Sequence, residues 1–267
     1  MPIKVFIAGG TGWAGSELSK SVFKQDNMQL VGALSRSHEG KNLAKVLNLG
    51  EGDIPVYADI DTALSQTEFD VLVEYTKPDI AKKNILAALS KGKNVVVGTS
   101  GLSEEDYKEI EKVANQNNAS ALAVGNFAIT VVLLQKFSEM AAKYIPNFEI
   151  IDYAHEKKID APSGTARELA FRLSKIQEST IHVPVEQMVG PKETRGARMG
   201  GVQVHSLRLP GHVISIESIF GLKDERLTIR HDSGASAEPY VKGALLAIEK
   251  VGTFKGLRRG LDSVMEF

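Results

Sequence analysis

The sequence predicts an α/β protein of two domains: a doubly wound parallel sheet, then an α+β domain with an open, mostly antiparallel sheet. Three observations predict it. Short apolar runs alternate with helical patterns from Ile3 to Gln116, and repeated β-α units build parallel sheets. A glycine-rich turn joins the first strand to the first helix, at the very start of the chain. The alternation stops at Gly125-Asn126-Phe127-Ala128, and the later strand patterns follow one another across short turns, as in a sheet with one solvated face. The expected boundaries are 1–127 for the first domain and 128–235 for the second. A last helix and tail, about 236–267, are expected to return to the first domain.

Bulk composition excludes several function classes. The 267 residues are 43% hydrophobic and 24% charged, with a net charge of −1, ordinary values for a globular protein. Nothing in that balance favours nucleic acid or an anionic membrane. The absence of cysteine removes disulfides, thiolate metal sites and thioester-forming dehydrogenases; no metal site is expected. Met1 leads directly into a strand pattern and no apolar run of about 18 residues occurs, so no membrane partner and a cytoplasmic location are expected.

In the first domain, strand Ile3–Ala8 runs into Gly9-Gly10-Thr11-Gly12-Trp13-Ala14-Gly15, followed by a helix to about Phe23. Gly10, Gly12 and Gly15 fit G-x-G-x-x-G in the context the motif requires, a strand before and a helix after. Such glycines permit a tight turn, close approach of a pyrophosphate to backbone amides, and close helix–strand packing. A Rossmann-type dinucleotide site is expected here. Trp13 either covers the cofactor or packs on the protein. The second strand, Gln29–Leu34, ends in Ser35-Arg36-Ser37-His38, where an NAD-preferring site usually has a carboxylate for the ribose hydroxyl. Arg36 can instead pair with a 2′-phosphate, with hydrogen bonds from Ser35 and Ser37 and Lys41 as a further cation. NADPH is therefore the expected cofactor, with NADH possible. Further strands are expected at 55–57, 71–75, 94–97 and 121–124, with helices at 60–65, 80–91 and 104–116. Ligands bind such sheets beyond the carboxyl ends of the strands. Tyr75-Thr76-Lys77-Pro78 and Gly98-Thr99-Ser100-Gly101 occupy those ends; each has the residues expected near a nicotinamide and its ribose, or equally those of a turn with a helix cap.

A long apolar helix, 129–142, opens the second domain. A strand, 148–151, leads into Asp152-Tyr153-Ala154-His155-Glu156-Lys157-Lys158-Ile159-Asp160-Ala161-Pro162-Ser163-Gly164-Thr165, and a helix follows over 166–173. Ser163 and Thr165 are cap-type residues and Gly164 lets a ligand approach the backbone. Free amides at a helix start, two hydroxyls and the helix dipole make an anion site. Cationic Lys157 and Lys158 and the ionisable His155 stand just upstream, which suits a small dicarboxylic substrate. The same letters also describe an ordinary capped strand-turn-helix. Residues 178–198 show no clear periodicity, and Lys192–Gly201 reads as a mobile loop or a subunit contact. Strands follow at 202–209, 213–220 and 225–231, and a last amphipathic helix at 238–251.

These motifs carry a resemblance. The glycine loop, Tyr75-Thr76-Lys77-Pro78, Gly98-Thr99-Ser100-Gly101, Asn126-Phe127 and above all Lys158-x-Asp160-Ala161-Pro162-Ser163-Gly164-Thr165-Ala166 make the sequence similar, over essentially its whole length, to the dihydrodipicolinate reductases of lysine and diaminopimelate biosynthesis. The resemblance implies a dinucleotide domain and a substrate domain, with a homotetramer assembled through the substrate-domain sheets. It implies an oxidoreductase that carries hydride from NADPH or NADH to a cyclic dicarboxylic imine-type substrate. By position, Ser163-Gly164-Thr165 would hold one carboxylate. Lys158 would bind substrate and donate a proton, and His155 would bind substrate. Gly98 and Thr99 would line the nicotinamide, with Phe127 near it.

Two departures accompany it. The family's usual proton donor is the first histidine of a His-His pair, and that position is Ala154. The motif Arg-x-Gly-x-x-Gly-x-His is partly present as Arg208-Leu209-Pro210-Gly211-His212. A general acid must first be within reach, and neighbours on a regular strand face opposite ways, so His155 does not inherit the place of Ala154. His155 and Lys158 remain the candidate acids. Three readings follow: the pathway reductase, a related reductase of another small carboxylated imine or carbonyl, and a non-catalytic NADPH-binding protein.

Overall fold

The computed structural model describes residues Met1–Phe267. In chain order its elements are β1 (Ile3–Ala8), α1 (Trp13–Phe23), β2 (Met28–Leu34), α2 (Leu43–Leu47), β3 (Val56–Tyr57), α3 (Ile60–Gln66), β4 (Val71–Glu74), α4 (Pro78–Ser90), β5 (Asn94–Val97), α5 (Glu104–Gln116), β6 (Ser120–Ala123), α6 (Ile129–Ala142), β7 (Phe148–Ala154), α7 (Gly164–Ser174), β8 (Ala197–Met199), β9 (Val202–Arg208), β10 (Ile214–Leu222), β11 (Glu225–Ser233), α8 (Glu238–Val251) and β12 (Gly256–Arg259). The chain divides into two units, Met1–Ile129 with Ala237–Phe267, and Thr130–Ser236.

The first unit holds a seven-stranded sheet in the order β12-β6-β5-β4-β1-β2-β3, parallel throughout. Its central strands are largely apolar and its core side chains, among them Phe6, Leu72, Ile85, Leu89 and Ile110, are fully buried, as expected of a sheet covered on both faces. Helix starts are locally encoded. Asp59 accepts from Thr62 N at α3, Pro78 occupies the first turn of α4, and Ser103 with Asp106 forms a reciprocal capping box at α5. The register aligns Leu34, Ala8, Glu74, Val97 and Ala123 across the sheet. The loops after β2, β1, β4, β5 and β6 therefore emerge along one edge.

The second unit holds a five-stranded sheet in the order β11-β10-β7-β9-β8. Its pairings are antiparallel except for β7 with β9, which run parallel at the centre. Along β7, Phe148, Ile150, Asp152 and Ala154 are buried in alternation. Phe148 and Ile150 pack with Leu134 of α6, Leu169 and Leu173 of α7, and Val204, Ile216 and Phe220 of the neighbouring strands. The apolar period of 2 thus meets the apolar stripes of two helices.

Several elements differ from the sequence expectation. The strand expected over 148–151 continues to Ala154, because Asp152 at its inward position is held at Oδ2 by Ser163 N–H and Arg208 Nη2. The helix expected from 166 starts at Gly164, with Ser163 as its cap. The segment 192–201, expected as a mobile loop or a subunit contact, is not a loop throughout: it contains a short 3-10 turn, Lys192–Arg195, and β8 at the sheet edge. The tail contributes β12 beside β6; its Leu-Arg-Arg lettering carries no alternation. No helix is long and apolar enough to cross a membrane.

Candidate active site

The first group of candidate residues lies along the carboxyl edge of the parallel sheet. Gly9 N–H donates to Leu34 O and Gly12 N–H to Gly9 O, which folds the turn tightly onto β2. Helix α1 starts immediately after it, and a Cβ on Gly15 would overlap the Gly9 carbonyl; only glycine allows the helix to sit this close. Gly12 is the cap residue and offers no side chain. The N–H groups of Trp13, Ala14 and Gly15 have no acceptor in the protein, so the turn Gly9-Gly10-Thr11-Gly12 leads into an open helix start. Such a start binds phosphate. Trp13 is largely exposed and meets Tyr240 of α8 edge-on at 5.9 Å.

At the end of β2, Thr11 Oγ1 and Ser35 Oγ lie 2.8 Å apart, and Ser35, Ser37 and His38 Nδ1 close a hydroxyl–imidazole cluster at 3.0–3.3 Å. Arg36 is exposed and makes no ion pair within the chain. No carboxylate ends this strand.

The loops after β4 and β5 are cross-linked. Thr99 Oγ1 donates to Thr76 O at 2.9 Å and to Glu74 O at 3.2 Å. The Tyr75 ring meets Phe127 edge-on, centroids 5.7 Å apart, and a Cβ on Gly98 would strike both rings. Burial pushes the Tyr75 phenol up. Asn126 Oδ1 accepts from Ala128 N–H and shapes the next loop. Lys77 and Ser100 are exposed beside Thr76 and Thr99. Underneath, the fully buried Glu74 accepts from Thr76 N–H at 2.6 Å and from Asn84 Nδ2 at 2.8 Å. Burial pushes its carboxyl above the ordinary range, although both hydrogen bonds act the other way.

The second group lies in the other unit, where β7 ends and α7 begins. Ala154 is fully buried, on the side of β7 that carries Asp152. His155 is the first residue past the strand and is exposed. It opens a turn in which Lys158 N–H donates to His155 O and Lys157 N–H to His155 Nδ1. Lys158 Nζ lies 2.7 Å from Asp160 Oδ1. The hydrogen bond and charge of Lys158 hold the Asp160 carboxyl below its usual range. Lys157 is exposed.

Ser163 caps α7. Its Oγ accepts from Ala166 N–H at 3.2 Å, and the residue is almost wholly buried. Its own hydroxyl proton remains free to donate. Gly164 N–H and Thr165 N–H have no protein acceptor, and both residues reach the surface. At the helix start where the sequence suggests an anion site, the structure offers two amides and the Thr165 hydroxyl, with the Ser163 oxygen already used as a cap.

Sequence reasoning missed two polar residues below these surfaces. Asp152 is an acidic residue at an inward position of an otherwise apolar strand, and Glu74 ends a fully buried one. A carboxylate breaking an apolar run was the available signal. Arg208, noticed only as part of a motif, reaches Asp152 Oδ2 at 2.7 Å.

Comparison with known proteins shows the family. Models for the N-terminus and the C-terminus of dihydrodipicolinate reductase match residues 3–127 and 130–265. A 4-hydroxy-tetrahydrodipicolinate reductase of Bacillus pumilus is 39% identical over 264 residues, covering 99% of this chain and 98% of that protein. One from Oceanobacillus iheyensis is 38% identical over 267 residues, covering 99% and 100%. The dipicolinate-bound dihydrodipicolinate reductase from Paenisporosarcina superposes with a TM-score of 0.89 at 30% identity, over 99% of this chain and 100% of that one. An amine dehydrogenase of Mycobacterium smegmatis shares the fold at TM-score 0.69 and 14% identity. On the matched models and the full-length relatives, the chain belongs to the dihydrodipicolinate reductase family.

Proposed function

We propose that this chain reduces 4-hydroxy-tetrahydrodipicolinate to tetrahydrodipicolinate, with NADPH preferred over NADH. The observation that carries the reading is the pair of unpartnered amides, Gly164 and Thr165, at the start of α7, with the Lys158 ammonium on the segment that leads into it. Helix-start amides favour a carboxylate through their partial charge. The relative from Paenisporosarcina is a dipicolinate-bound reductase, and dipicolinate is a planar analogue with both carboxylates.

The residues fit the cofactor. The open start of α1 suits a pyrophosphate, and Gly98, Thr99 and Thr76, backed by the packed rings of Tyr75 and Phe127, form a firm surface for the nicotinamide end. Arg36, unpaired beside the Ser35–Ser37 hydroxyls, suits a 2′-phosphate. When bound, the reduced nicotinamide supplies the hydride. The overall change removes the 4-hydroxyl as water and adds one hydride and one proton. Gly164 and Thr165 hold one carboxylate and fix the ring's orientation, which is where much of an enzyme's advantage arises. Lys158 Nζ carries the proton; it is partly shielded and tethered by Asp160. His155, exposed on the turn, offers hydrogen bonds to the second carboxylate. Buried Ala154 carries no proton, so the role of the family's usual histidine passes to Lys158.

We assign residues 1–127 with 236–267 to the dinucleotide and 128–235 to the substrate, and carry over the family's homotetramer and cytoplasmic location. Titration with dipicolinate tests the substrate assignment. Binding is expected to be at least about tenfold tighter than for picolinate, which lacks one carboxylate, a difference of about 1.4 kcal/mol. Equal affinity for the two overturns it.

A further inference from the structure

We propose that Asp152 and Arg208 are positioning residues that hold the carboxylate cradle of α7 and Lys158 in working register. The inference rests on the substrate reading above and assigns it two further residues, neither of which is placed in contact with substrate.

The geometry is a double tether. Asp152, fully buried on β7, accepts at Oδ2 from Ser163 N–H at 2.9 Å and from Arg208 Nη2 at 2.7 Å, with Ser206 Oγ at 3.3 Å. The same Arg208 nitrogen donates to Asp160 O at 2.6 Å. One ion pair therefore grips both ends of the short segment Asp160–Ser163. On one side that segment carries Asp160, whose carboxylate anchors Lys158. On the other it delivers Gly164 and Thr165 with their amides free. Arg208 is the cross-strand partner of Ala154. The small side chain at 154 leaves the guanidinium a path along the sheet to Asp152, two residues back on the same face.

A purely stabilising role explains these contacts poorly. Buried ion pairs add little net stability, because desolvation offsets their attraction. A pair shaped for stability has its polar atoms satisfied, yet Asp152 Oδ1 and Arg208 Nε are buried without partners. Asp152 Oδ2 and Arg208 Nη2, the two atoms of the pair that meet each other, are also the ones that reach the 160–163 backbone, while Arg208 Nη1 donates to Leu207 O. The guanidinium is planar and rigid, so the protons of Nη2 point in fixed directions toward Asp152 Oδ2 and Asp160 O, whereas those of an ammonium rotate on a flexible stem.

The test uses the full-length protein with two variants, Arg208→Lys and the doubly neutral Asp152→Asn/Arg208→Gln. The second avoids leaving one buried charge unpaired. Dipicolinate affinity, the Michaelis constants for substrate and NADPH, and the thermal midpoint are measured for each. The expected result is a rise of about tenfold or more in the dipicolinate Kd and substrate KM, with the NADPH KM within about twofold of wild type. Folded variants with near-normal dipicolinate affinity overturn the inference. So does a parallel rise in the NADPH constant, or the failure of both variants to fold, since either shows a general structural role. Wild-type protein that does not bind dipicolinate sinks the substrate reading, and this inference with it; unchanged variants sink the inference alone.

Discussion

Replacing Arg36 by alanine removes the charge on which the proposed NADPH preference rests. Arg36 follows β2 at the sheet edge, exposed and without an acidic partner, so its charge is not consumed within the chain. A charged hydrogen bond to phosphate contributes about 1.5–3 kcal/mol where water is excluded. Solvent screening at an exposed site lowers this to about 1–2 kcal/mol. With about 1.4 kcal/mol per factor of ten, Arg36→Ala should raise the KM for NADPH about 5- to 30-fold. NADH has no 2′-phosphate, so its KM should move less than about twofold by the same reasoning. The assay is initial-rate oxidation of each cofactor at saturating substrate. The proposed preference should also weaken below about pH 6, where the phosphate monoester dianion takes up a proton and becomes a monoanion. Equal changes for NADPH and NADH would falsify the assignment and return Arg36 to the role of a solvated surface cation.

Three other perturbations probe the account. Lys158→Ala should lower kcat by about 100-fold or more, the range typical for loss of a general acid; near-normal turnover moves the proton to His155 or to water. Glu149→Gln addresses acid stability. Burial raises the Glu149 carboxyl, but hydrogen bonds from His205 and Arg195 outweigh this and hold it at about 2. A carboxyl held below its ordinary 4.5 stabilises the fold fully above that pH, and the contribution disappears as pH falls toward 2. The variant should therefore lose about 1–2 kcal/mol at pH 7 after allowance for partial exposure and match wild type near pH 2; a pH-independent difference in thermal midpoint contradicts this. Glu74→Gln has the opposite sign. Burial raises its carboxyl, so ionising it costs stability as pH rises through the folded-state value. The glutamine variant should gain in thermal midpoint relative to wild type between pH 4.5 and 8, and a relative loss over that range refutes the assignment.

How much was legible in the sequence depended on how local the cause was. The glycine turn before α1, the Ser163 cap and the hydroxyls around Arg36 follow from residues a few positions apart, whose turn and capping chemistry is written in the letters themselves. The alternation that marks the parallel sheet is also local. Partners distant in the chain were not legible. Gly256–Arg259 becomes a strand only because β6 offers an edge 136 residues earlier, from Ser120. The parallel pairing of β7 with β9 is invisible in either strand alone. Asp152 and Arg208 meet across 56 residues, so the strand end at Ala154 and the anchoring of the cradle needed the tertiary structure. The vacancy at Ala154 was plain as a letter; its consequence, an open route for Arg208, was not.

The central claim is that this chain performs the family's reduction without the usual histidine. The direct measurement is NADPH oxidation at 340 nm, a cofactor absorbance, by the pure protein with 4-hydroxy-tetrahydrodipicolinate generated in place from pyruvate and aspartate semialdehyde. The account predicts substrate-dependent turnover on the order of 1 s⁻¹ or faster, lost in Lys158→Ala and retained in His155→Ala with a raised substrate KM. Bound NADPH with no turnover on this substrate would contradict it and assign the retained cradle to another small carboxylated imine or carbonyl.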